Sequence, residues 1–133
     1  VEFPPGRHVV RQQEVRVELI AATWDQTGLA VFLEIDNRGA TPVTVERRGI
    51  VLGHQSLEFP VSSATDPPLA AQTVVPPHGK TRLRARFDTG ARVTEISTLR
   101  LRAVRRDDDW IENLALSVPA GIDPDPDPQR AAP

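Results

Sequence analysis

Residues 29–45, LAVFLEIDNRGATPVTV, alternate in hydropathy: Leu29, Val31, Leu33 and Ile35 share one parity, Asp36-Asn37-Arg38-Gly39 interrupts, and Val43 and Val45 resume it. A period of two puts successive side chains on opposite faces of an extended chain, so the stretch predicts a strand buried on one side, a turn and a second strand. The pattern recurs. In EVRVELIAA (14–22), Val15, Val17, Leu19 and Ala21 oppose Glu14, Arg16 and Glu18. In KTRLRARFD (80–88), Leu83, Ala85 and Phe87 oppose Arg82, Arg84 and Arg86. ISTLRLRAV (96–104) sets Leu99, Leu101 and Ala103 against Arg100 and Arg102, and WIENLALSV (110–118) places Trp110, Leu114, Leu116 and Val118 on one parity.

Turn chemistry separates these runs. Pro4-Pro5-Gly6 breaks regular structure ahead of an edge strand at Val9 and Val10. TWDQTG (23–28) reads as a turn, which sets Trp24 among polar neighbours. Asn37 and Gly39 tolerate positive φ. Gly49 is placed as a bulge within PVTVERRGIVL (42–52). SLEFPV (56–61) reads as a short strand with Leu57, Phe59 and Val61 inward, held to a sheet edge because Pro60 cannot donate to a ladder. Residues 62–79 form the longest irregular stretch, with one helical turn expected at PPLAAQ (67–72). No long segment has helical periodicity. About seven short strands with regular turn signals predict an all-β, immunoglobulin-like antiparallel sandwich without a disulfide. The domain is expected over 13–119, after a lead-in at 1–12 and before a tail at 120–133, AGIDPDPDPQRAAP. Alternating Asp and Pro form neither core nor ladder and favour an extended, polyproline-like chain.

Length and composition narrow the picture further. A chain of 133 residues supports one domain with one core. A net charge of -2 leaves no electrostatic footprint for nucleic acid. With no Cys there are no thiol nucleophiles, no Cys-ligated zinc or iron–sulfur sites, and no thiolate for a blue-copper centre. No apolar run reaches the ~18 residues of a membrane-spanning helix. The chain starts at Val1 and contains no Met, which is the expectation for a processed or trimmed product with any signal peptide or lipid anchor upstream. Lys80 is the single lysine among many arginines, a composition associated with GC-rich bacterial genomes.

Three motifs carry a resemblance. AVFLEIDNRGATPVTV is a hydrophobic strand ending in Asn-x-Gly and followed by a Pro-Val strand; VVPPHGKTRLRARFD leads through Pro-Pro into a strand ending in Phe; TLRLRAV resembles the strand that follows. Over roughly residues 14–105 this order resembles small bacterial extracytoplasmic Ig-like domains, including the DUF4352-type, telokin-like lipoprotein domains. The plant-type LEA14 and WHy domains share a similar layout. The resemblance implies a non-enzymatic attachment, adaptor or ligand-binding role and transfers no active-site residue.

Candidate chemistry is sparse. His8, His54 and His78 lie on separate segments; His54 and His78 would bind a metal only by meeting at one end of a sandwich, and exposed loop histidines are the plainer reading. Asp107-Asp108-Asp109 supplies oxygens for a hard cation, but consecutive side chains diverge, and a solvated hairpin turn explains them. Ser62-Ser63 lies near Asp66 without a His close in sequence, and there is no nucleophile elbow or phosphate-binding glycine motif. No cofactor is implied. Arg82, Arg84, Arg86, Arg100 and Arg102 form outward rows that pair with Glu14, Glu18 and Glu34, or else offer a surface to an anionic partner. Trp24 is a contact anchor or a lid over the sandwich end, and Trp110 belongs to the core by parity. The expected protein is a non-enzymatic accessory or adaptor domain outside the cytoplasm, in the periplasm or at the cell surface. It would bind an envelope- or membrane-associated protein; the rival is a module for a small ligand or polysaccharide.

Overall fold

The structure, a computed structural model, describes residues 2–119 except 66, 91, 92 and 94. The proline–aspartate tail expected at 120–133 lies outside the described residues. The domain is an antiparallel β-sandwich, and its strands are more numerous than the alternation suggested: twelve among the described residues rather than about seven.

The first sheet has the order β1 (Val9–Gln12), β2 (Val15–Trp24), β3 (Gly28–Asn37) and β8 (Lys80–Asp88). The second layer is assigned as two four-stranded sheets. One has the order β11 (Asp109–Trp110), β10 (Val104–Arg106), β4 (Val43–Glu46) and β7 (Gln72–Val75); the other has β12 (Ala115–Val118), β9 (Ser97–Leu101), β5 (Ile50–His54) and β6 (Leu57–Pro60). These are the two ends of one layer with a break across its middle. Hydrogen bonds bridge the break: Glu46 N–H to Ala103 O at 2.9 Å, Arg102 N–H to Gly49 O at 2.7 Å, Ile111 N–H to Val104 O at 2.8 Å and Leu101 N–H to Leu114 O at 2.9 Å. The extra strands therefore come largely from long strands broken at the same level.

The break has a local cause. Glu46–Gly49 contains a 3-10 turn at Arg47–Gly49 and is two residues longer than Arg102-Ala103, the segment it faces, so register slips by two across the turn. Gly49 is needed there: a Cβ on it would lie 2.3 Å from the Ala103 nitrogen. On the neighbouring strand, Asn113 adopts a left-handed φ of 63° and shifts the side-chain parity. Ile111 is therefore buried, and Trp110, expected in the core, is 49% exposed.

Inward-facing residues of both layers form one core, including Val15, Val17, Leu19, Leu33, Ile35, Leu52, Phe87, Leu99 and Leu116. A register shift between Leu19 and Ala21 changes the parity of β2, so Ala22 is buried and Ala21 turns outward. Leu57 follows a tight turn at the edge of its sheet and is exposed instead of inward. The expected irregular stretch hides an edge strand, β7, which pairs with β4 through Val43↔Val75. PPLAAQ forms no helical turn and runs into that strand.

One end of the sandwich is closed by a buried polar knot. Asn37, with no solvent exposure, directs its amide nitrogen to Thr41 O at 2.8 Å and to Val75 O and Pro76 O at 3.2 Å. Its amide oxygen accepts from Gly39 N–H and Arg106 Nη2, both at 3.0 Å. Neither Asn37 nor Gly39 has positive φ. A Cβ on Gly39 would meet the Arg106 guanidinium at 2.0 Å, so a side chain there would displace that guanidinium from the knot.

Asn37→Ala is expected to lower unfolding free energy by about 3 kcal/mol, since it strands several buried groups at once. A shift in urea midpoint equivalent to under ~1 kcal/mol would show that water replaces the amide at little cost. Gly49→Ala is expected to cost about 1–3 kcal/mol by forcing Ala103 away, and the same unfolding measurement checks it.

Candidate functional site

The outer face of the first sheet carries a groove of about 530 Å³. Its floor consists of two rows running across three strands. Thr23, Ala30 and Arg86 stand side by side in one, and Ala21, Phe32 and Arg84 in the other. The floor is low because Ala21, Thr23 and Ala30 are small, and Ala21 reaches this face only through the bulge in β2. Glu2, which bridges to Ala21, stands at one wall. Ala64 and Thr65 stand at the other, where Ser62 N–H donates to Arg86 O at 2.6 Å and Arg86 N–H to Thr65 Oγ1 at 3.1 Å.

The two arginines in the groove differ in how firmly they are held. Arg86 is locked: its guanidinium contacts both carboxylate oxygens of Asp25, at 2.7 and 3.0 Å, and Asp88 at 3.1 Å. The Arg86 hydrogen bond, with the backbone N–H of Thr27, holds the Asp25 carboxyl well below the usual range. Arg84 lies over the Phe32 ring, with its guanidinium carbon 5.3 Å from the centroid. Among the described residues no carboxylate pairs with it. Arg82 also approaches Phe32, at 5.8 Å, but bonds Glu34 at 3.1 Å. Lys80 shares Glu34 at 3.8 Å.

Arg100 and Arg102 lie on the opposite outer face, so the five arginines do not make one platform. Arg102 pairs with Glu58 and holds that carboxyl below its ordinary value. Arg100 packs across Gly53 on β5. Trp24 ends β2 rather than sitting in a turn. It is half-buried against the core, and its indole N–H donates to Pro119 O at 3.2 Å, so it closes the sandwich end. Trp110 is the exposed indole, on the second layer beside Arg48 and Arg102.

The histidines do not meet. His8 packs against Phe3 with tilted rings and centroids 4.3 Å apart, His78 donates its backbone N–H to Gly39 O at the knotted end, and His54 ends β5 at the other end of the layer. Among the described residues no three metal-ligating side chains converge. Asp107 and Asp108 form a two-residue hairpin turn with exposed side chains, as the plainer reading held. Ser62 Oγ bonds Asp88 rather than any histidine. Residue 66 lies outside the described residues. The groove was invisible in sequence: only the Leu19/Ala21 bulge and the cross-strand register bring Ala21, Phe32 and Arg84 into line.

Comparison with protein-family models finds no match, and no curated protein matches the chain. Among solved structures, the yjhA protein from Bacillus subtilis superposes with a TM-score of 0.55 at 9% identity, covering 68% of this chain and 74% of that one. This likeness concerns the fold alone and agrees with the all-β architecture.

The Asp25–Arg86 pair generates a pH prediction. The folded-state pKa of Asp25 is depressed, so its contribution to stability is present above the unfolded value and fades as pH falls below about 4. Asp25→Asn should therefore lose less stability than the unmodified protein between pH 5 and pH 2. Parallel denaturation curves at those pH values are the check; equal losses would place the acid sensitivity elsewhere.

Proposed function

We propose that this domain is a non-enzymatic accessory or adaptor module that binds another protein through the outer face of its first sheet. The observation that carries the reading is the Phe32–Arg84 pair at the floor of an open groove: an aromatic ring with a guanidinium over it that has no carboxylate partner among the described residues. Aromatic and arginine side chains are the residue types enriched at the centre of protein interfaces. The surrounding small residues give a partner's side chains room to enter. An extracytoplasmic, envelope-associated setting belongs to this proposal and rests on the resemblance carried by the Asn37-x-Gly39 and Pro76-Pro77 motifs.

A second reading, a small-ligand or polysaccharide module, is favoured by the groove's size, which falls within the range of small-molecule sites. The two differ in what stabilises the protein. A small ligand would raise Tm in proportion to its occupancy, whereas an adaptor responds to a macromolecule.

The test is a co-purification at native expression level from mild detergent extracts, with the partner identified by mass spectrometry. A stoichiometric protein partner is expected, and Phe32→Ala should lower its recovery about tenfold, consistent with loss of an interface anchor. Recovery of the domain alone, with Tm raised by an oligosaccharide, would transfer the assignment to the second reading.

A further inference from the structure

The edge of the first sheet beside the groove is incomplete. In β8 the odd-numbered residues face β3, as Asn37 N–H bonding Gly79 O at 2.9 Å establishes for the register. The even-numbered residues therefore turn their backbone N–H and C=O groups to the outer edge. At Arg86 those groups are taken: Ser62 N–H and Thr65 Oγ1 complete the rung. At Arg82 and Arg84 no such partner exists among the described residues, and both residues are exposed. A loop thus supplies one rung of a strand, and the next two are left open.

The charge along that edge is periodic. Lys80, Arg82 and Arg84 project onto one face at every second residue, and Glu34 is the carboxylate that serves the first two. Basic side chains on an edge strand keep it from pairing with another basic or neutral edge. They select for one kind of strand, whose alternate residues are acidic. In antiparallel pairing, residues directly opposite each other share a face, so a carboxylate at every second position would stand across from Arg84 and Arg82.

We propose that the free edge of β8 at Arg82 and Arg84 is a strand-addition site for an extended acidic segment of a partner protein, with a carboxylate at every second residue. Main-chain rungs supply affinity in this mode, and the alternating side chains supply selectivity. Residues on the same face also reach Phe32 and the groove. The proposal deepens the adaptor reading and rests on it: that reading states that a protein binds this face, and this one states which edge and what sequence pattern.

The experiment uses the full chain and a short synthetic peptide alternating glutamate with threonine, with a lysine–threonine peptide as control. Residue-resolved amide hydrogen exchange is measured with and without peptide. The acidic peptide should slow exchange at the Arg82 and Arg84 amides at least about tenfold and leave the β2–β3 ladder unchanged, and the basic peptide should do nothing. Arg84→Glu should weaken binding by about tenfold. Arg82→Pro, which removes an outward N–H without touching the β3 ladder, should weaken it more than Arg82→Ala. Binding without protection of those two amides would overturn the proposal. Protection already present in the free chain would also overturn it, since the edge would then be occupied by this chain itself. If neither amide responds while Phe32→Ala still abolishes capture of a partner, the edge proposal falls and the adaptor reading stands.

Discussion

The amide of Asn37, buried without solvent contact and bonded to the Arg106 guanidinium, is the constraint on which one whole end of the sandwich depends. Asn37 ends β3 in the first sheet, and Arg106 ends β10 in the second layer. The same guanidinium donates to Thr41 O at 2.8 Å and Gln13 O at 3.3 Å, reaching the β3–β4 and β1–β2 connections. Asn37 in turn satisfies the carbonyls of Val75 and Pro76, where β7 leads toward β8. Three chain connections are thereby held through one pair of side chains. Buried polar groups of this kind are costly unless satisfied, and here the Asn37 amide nitrogen and both terminal nitrogens of Arg106 have carbonyl or amide oxygen acceptors.

A second set of constraints shapes the grooved outer face of the first sheet. The bulge in β2 turns Ala21 outward beside Ala30 and Thr23, and the N-terminal segment and the 62–65 loop rise around them. The low floor of the groove is therefore a product of small side chains on two paired strands, β2 and β3. Its electrostatics follow from neighbour satisfaction. Arg16 pairs with Glu18, Arg82 and Lys80 share Glu34, and Arg86 bonds Asp25 and Asp88. Exposed pairs of this kind contribute little stability, but they neutralise most of the outer face. Arg84, over the Phe32 ring, has no carboxylate partner among the described residues and lies next to an edge whose rungs are incomplete.

Alternation along the chain determined the fold class and most of the core. Val15, Val17, Leu33, Ile35, Leu83, Phe87, Leu99 and Leu116 are buried as their parity predicts, because the two-residue period of a strand is a local property that each segment carries by itself. The rows of outward arginines were legible for the same reason. Tertiary structure decided everything that depends on a partner strand. Trp110 left the core and Ile111 entered it because Asn113 changes parity where two long strands break together. Gln13-Glu14 forms a tight hairpin turn with both residues at positive φ, stabilised by bonds from Arg38 and Arg106 that no local motif announces. Strand β7 emerged from an apparent loop because β4 offered it an edge. Which arginine finds a carboxylate, and which is left over Phe32, likewise follows from cross-strand register between residues some fifty positions apart in sequence. Register is set by the packing of the whole sandwich, so a sequence read segment by segment contains the faces of the strands but not the neighbours those faces meet.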